Sequence, residues 1–138
     1  MNYNLITILG PTATGKTSIA AQLAEDLNGE IISADSRQVY KNMNIGTGKD
    51  LEDFIRRNII YHLIDICEPK DEYNLFRFKK DFAAAFDLIL KKNKIPIMVG
   101  GTGLYIKAFL HGIFESDPVD PLIRARLKTE METQGPAA

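Results

Sequence analysis

An α/β fold, a parallel sheet flanked by helices, follows from two features of this sequence. Short apolar runs alternate with longer segments whose apolar residues recur at helical spacing. The first apolar run also passes through a glycine-rich turn straight into a helix, in "LITILGPTATGKTSIAAQLAEDL". That arrangement builds an anion cradle at the carboxyl end of a strand.

In chain order, Leu5 to Leu9 reads as a buried strand. Lys16 to Leu27 reads as a helix with Ile19, Ala20, Leu23, Ala24 and Leu27 on its inner face, ended by Asn28-Gly29. Glu30 to Ala34 is the second strand, with Asp35 at its carboxyl end. Residues 36–50 read as a loop with at most one helical turn, and Leu51 to Arg57 as a short helix. "IIYHLIDI" is the third strand. "NLFRFKKDFAAAFDLILKK" is a long helix whose Phe76, Phe78, Phe82 and Phe86 read as core, with Ile89 also on the inner face. "IPIMVGG" is the fourth strand, "TGLYIKAFLHG" a helix stopped at Gly112, and the last helix starts at Pro121 with Asp120 as N-cap. Four strands are one fewer than a phosphate-loop core usually closes, and the chain stops at "QGPAA" directly after a charged helix. A truncated core is therefore expected.

At 138 residues the chain makes at most one domain, and a net charge of −1 advertises no general affinity for nucleic acid. The single cysteine, Cys67, excludes an internal disulfide and suits a reducing compartment as buried filler. No apolar run reaches the roughly 18 residues that span a bilayer. "MNYNL" lacks a signal peptide's basic flank. A cytoplasmic, monomeric protein with no membrane partner is expected.

"GPTATGKT" fits G-x-x-x-x-G-K-[ST]. Gly10 and Gly15 permit the turn, and the amides of Pro11 to Thr17 (Thr12, Ala13, Thr14 and Lys16 among them, the prolyl nitrogen excepted) surround a di- or triphosphate. Lys16 adds a point charge, and the Thr17 hydroxyl is a ligand for Mg²⁺. The fold class is thus P-loop NTPase-like. Asp35 or Asp65 could hold Mg²⁺ through water, as in kinases and NTPases, so the loop leaves open whether phosphate is cut, transferred or discarded. His62 and His111 read as structural. Lys49 reads as either a phosphate contact or a solvated loop lysine.

The stretches "GPTATGKT", "EIISADSRQVYKNMNIGTGK", "YHLIDI" and "IPIMVGGTGLYIKAFLHG" together resemble the tRNA dimethylallyltransferases, or tRNA isopentenyltransferases, from residue 5 to about residue 127. "DSRQVY" and "GGTGLY" discriminate far better than the phosphate loop. The resemblance implies an enzyme that moves a dimethylallyl group from dimethylallyl diphosphate to N6 of adenosine 37 in tRNA, releasing diphosphate. It implies that Asp35 is base and acceptor for the adenine amine, with Lys16, Thr17 and Thr102 also catalytic. Asp35 could instead be a metal ligand or a helix cap, and Thr102 an N-cap. Asp35, Ser36, Arg37, Gln38, Thr102 and Arg124 are the implied contacts to the anticodon stem-loop, although Arg37 also reads as a solvated arginine and Arg124 as a helix arginine paired with Asp120. A kinase of nucleotides or small molecules, or an adenylate isopentenyltransferase acting on free nucleotide, is the alternative.

Members of this family run to about twice this length. Residues 1–138 would then be the N-terminal part of a phosphate-loop prenyltransferase core, with 113–138 the start of the following helical region and the helical insertion that grips the anticodon stem in the absent remainder. The family's "GTAK" stands here as "GTGK".

Overall fold

The computed structural model describes residues 4–49, 51–112 and 120–135. Its elements are β1 (Ile6–Leu9), α1 (Lys16–Asp26), β2 (Gly29–Ser33), α2 (Glu52–Arg56), β3 (Tyr61–His62), α3 (Leu75–Lys91), β4 (Ile95–Gly100), α4 (Gly103–His111) and α5 (Pro121–Gln134). The strands form one parallel sheet in the order β1-β4-β2-β3. Consecutive residues on a strand face opposite sides of a sheet, and here they feed two cores. Ile31, Ile97 and Val99 pack under α1 and α2, whereas Ile32 and Met98 pack under α3 and α4. Phe78 stacks on Tyr105 at 4.1 Å between ring centroids and Phe82 lies 4.0 Å from Phe109, so aromatic rings join α3 to α4.

Three elements differ from the sequence reading. On α1 the buried residues are Ala20, Ala21 and Ala24, while Ile19 is 59% exposed and Leu27 is also exposed. Small side chains let the helix lie close on the sheet, with Leu23 partly buried against the same core and Ile19 and Leu27 turned outward. Phe76 is exposed at the start of α3, whereas Phe78 and Phe82 are fully buried. The third strand pairs only at Tyr61–His62, because Leu63 and Asp65 take positive φ (64° and 55°) and break the extended chain. Beyond the break, residues 65–67 hydrogen-bond instead to Gln38 and Val39. The expected helical region 113–138 contains α5. Its residues 113–119 and 136–138 lie outside those described.

At the amino end of the sheet, Glu30 is fully buried and meets His62 at 2.8 Å, Lys92 at 3.1 Å and Lys94 at 3.0 Å. Burial alone would push its carboxyl up, but hydrogen bonds from His62, Lys94 and Lys92 outweigh burial and hold it at about 2. His62 therefore has a structural partner.

Candidate functional site

Parallel α/β sheets present ligand sites at the carboxyl ends of their strands. Here those ends open into a cavity of about 280 Å³. Its first wall is the turn from β1 to α1, contributed by Thr12, Ala13, Thr14, Gly15, Lys16 and Thr17. Gly15 (φ 78°) and Ala13 (φ 63°) are both left-handed. Such residues aim successive N–H groups to one side, and the α1 dipole adds to that positive field. Gly10 and Pro11 are not among the lining residues. The Pro11 carbonyl accepts hydrogen bonds from Thr14 Oγ1 at 2.8 Å and from Lys16 Nζ, so Pro11 shapes the loop through its carbonyl.

The second wall continues β2. Ser33, Asp35 and Gln38 line it. Asp35 Oδ1 accepts the amides of Arg37 at 2.8 Å and Gln38 at 3.4 Å, so the carboxylate caps a tight turn while facing the cavity. Gln38 Oε1 accepts from Ser33 Oγ and its Nε2 donates to Gly48 O, both at 3.0 Å, which fastens the glycine loop at 46–48 to the sheet. Gly100 and Gly101 form the third wall. A Cβ on Gly100 would stand 2.2 Å from the Ala34 carbonyl oxygen, so only glycine allows the two strand ends to approach this closely.

Thr102 does not cap α4 with its side chain. Its Oγ1 accepts the Ser36 amide at 3.1 Å and lies 3.5 Å from Ser36 Oγ, tying the end of β4 to the Asp35 turn. Arg37 is exposed and borders a shallower cleft with Tyr40, Met43 and Ile45. Arg124 is exposed on α5 and lines neither cavity. Asp120 accepts the Leu122 amide at 2.9 Å rather than pairing with Arg124, and the ion pair on α5 is Arg126–Glu130. Lys49 is neither solvated nor at the mouth. Its side chain is 2% exposed and bonds Asp65 at 2.6 Å and the Tyr40 carbonyl. That ion pair also removes Asp65 from the candidate metal ligands.

Most of the residues missed in the sequence are apolar, with Ser33, Thr47 and Gly48 beside them. Ile31, Leu51, Phe54, Ile64 and Val99 line the far end of the same cavity. The alternation Ile31, Ser33, Asp35, along β2 and just past its end, was the available signal, running from core to mouth. Among the described residues no group of three or more His, Cys, Asp or Glu could hold a metal. Thr17 and Asp35 share the cavity, which fits a Mg²⁺ that takes its other oxygens from a diphosphate and water.

Two family models match the chain, IPP transferase over residues 38–138 and isopentenyl transferase over residues 3–65. The chain is 57% identical over 129 residues to tRNA dimethylallyltransferase 1 of Azobacteroides pseudotrichonymphae, covering 91% of this chain and 42% of that protein. It is 52% identical over 139 residues to tRNA dimethylallyltransferase 1 of Parabacteroides distasonis, covering 96% and 45%. The crystal structure of the Bacillus halodurans tRNA isopentenylpyrophosphate transferase matches with a TM-score of 0.78 at 37% identity, over 94% of this chain and 43% of that one. A eukaryotic dimethylallyltransferase described as acting on tRNA matches with a TM-score of 0.76 at 30% identity, over 95% and 33%. The chain thus spans less than half the length of these relatives.

Proposed function

The chain belongs to the tRNA dimethylallyltransferase family, and from that membership we propose that its cavity holds dimethylallyl diphosphate and delivers the dimethylallyl group to N6 of adenosine 37 in the anticodon stem-loop of tRNA. The observation that carries this reading is the composition of the cavity. A phosphate cradle at residues 12–17 and an apolar wall at Ile31, Phe54, Ile64 and Val99 share one space, with Asp35 also on its surface. A diphosphate with an isoprenoid tail matches both ends.

The N6 lone pair is delocalised into the ring, so the leaving group must be helped and the amine oriented. N6 attacks the first carbon of the donor, the carbon–oxygen bond to diphosphate breaks, and N6 gives up a proton. The loop amides and Lys16 face the oxygens on which charge develops. The proton goes to Asp35 Oδ2, since Oδ1 is occupied by the Arg37 and Gln38 amides. Mg²⁺ held by Thr17, with Asp35 nearby, would add charge stabilisation to the departing diphosphate. Ser36 and Arg37 flank the turn and meet the RNA beside the extruded base. Gln38 and Thr102 act by holding that turn, and Arg124 reaches the RNA from α5. A tRNA substrate supports a cytoplasmic location. Among the described residues no helix is long and apolar enough to cross a membrane.

Incubation with labelled dimethylallyl diphosphate and Mg²⁺, in the presence of tRNA, AMP or no acceptor, tests the reading. Label on tRNA supports it. Label on AMP instead identifies a free-nucleotide enzyme, and transfer of the ATP γ-phosphate to a hydroxyl overturns it.

A further inference from the structure

The cleft that Arg37 borders adjoins the donor cavity. It has a volume of about 430 Å³, and Arg37, Tyr40, Met43, Ile45, Thr47 and Pro69 line it. Thr47 lines both spaces. Arg37 stands two residues from Asp35, so at most about 7 Å of backbone separates the cleft from the proton acceptor.

The lip of this cleft turns apolar side chains to solvent. Ile45 is 98% exposed and Met43 is 43% exposed, and neither belongs to the two cores. The loop that carries them is nevertheless pinned. Asn42 (φ 61°), Gly46 (φ 78°) and Gly48 (φ 65°) form left-handed corners. Thr47 Oγ1 donates to the Met43 carbonyl, and Lys49 Nζ donates to the Tyr40 carbonyl. An apolar tip held on a fixed base is surface offered to a partner, and the rim identifies its chemistry. Among the described residues the Arg37 guanidinium has neither a hydrogen-bond nor an ion-pair partner, whereas the nearby Lys41 is paired with Glu68 at 2.8 Å. A free arginine beside a tyrosine ring and aliphatic side chains matches a nucleotide, with phosphate on the cation and the base face on the ring.

We propose that this cleft receives the base of a nucleotide flanking the target adenine, packed against Tyr40, Met43 and Ile45, with its phosphate on Arg37. The inference rests on the tRNA reading above and adds a second base site to it. Extruding one base strips its neighbours of a stacking partner, and the cleft supplies a replacement.

The test is fluorescence anisotropy of this chain, with Mg²⁺ and dimethylallyl diphosphate present, on three anticodon stem-loop RNAs. One is the parent, and each of the others lacks the base on one side of adenine 37. Wild type should bind one of the two abasic RNAs about five- to a hundredfold more weakly than the parent. Ile45→Ser should bind the parent more weakly than wild type does and show a smaller abasic penalty. That penalty is a ratio within one variant, so the folded fraction of the protein cancels from it. Arg37→Gln should reduce the slope of log affinity against log salt by about 0.7. No penalty in wild type, or an equal penalty in wild type and Ile45→Ser, overturns the inference. Labelled dimethylallyl transfer to the parent RNA separates the two readings. Transfer without an abasic penalty leaves the tRNA reading intact, and neither binding nor transfer overturns both.

Discussion

Asp35 Oδ1 accepts two backbone amides, so replacing Asp35 probes the turn and the chemistry together. Asp35→Asn keeps an oxygen for those amides and removes the proton acceptor. Prenyl transfer should fall by about 10²–10⁴-fold with donor affinity unchanged, as read by single-turnover kinetics and calorimetry. A drop in donor affinity instead would give Asp35 a metal role. Thr17→Ala should weaken donor binding only when Mg²⁺ is present, so titrations with and without the ion separate the hydroxyl's role from general damage to the loop. Gly100→Ala places a methyl group 2.2 Å from the Ala34 carbonyl oxygen. Overpacking of this kind costs about 1–3 kcal/mol, and urea unfolding should show it. The identity of these residues is readable from "GKT", "DSRQ" and "GG". That Gln38 and Thr102 point into the protein's own scaffold is not, because each finds a partner distant in sequence or across the turn.

The loop 36–50 and the segment 63–67 look like separate irregular stretches in the sequence but form one unit. Lys49 pairs with Asp65, and the Asp65, Ile66 and Cys67 amides bond back to Gln38 and Val39. Lys49→Met should therefore lower the unfolding midpoint and leave the salt dependence of tRNA affinity unchanged. A smaller slope of log affinity against log salt would return Lys49 to the phosphate contacts. Periodicity located α1 and put Ala20, Leu23 and Ala24 correctly on its inner face, but extended that face to Ile19 and Leu27, which are exposed. These two recur as regularly as the alanines, and the close approach to the sheet that the alanines permit turns them outward.

The ionic cluster and the phosphate cradle occupy opposite ends of the sheet, which separates stability from chemistry. Glu30 is held at about 2, below its ordinary value of 4.5. A group with a lowered folded-state pKa contributes stability that is fully present above its unfolded value and is lost as pH falls through the folded one. The chain should thus lose stability between about pH 4.5 and pH 2. Urea midpoints across that range should fall less steeply in Glu30→Gln, and parallel curves would remove Glu30 from the account. Because the cluster is remote from the phosphate cradle, diphosphate affinity of folded Glu30→Gln at neutral pH should match wild type.

Local information in this chain was enough for the alternation of strands and helices, the phosphate loop, the cap at Asp120, and the family. Each depends on spacing or on a turn that neighbouring residues specify, and Asp120 does accept a helix amide. The strand order, the burial of Lys49 and Glu30, and the apolar wall around Phe54 were settled by chain packing. They arise where residues tens of positions apart meet, and the free energy of such a meeting depends on the shape and charge of both partners, which no single stretch contains.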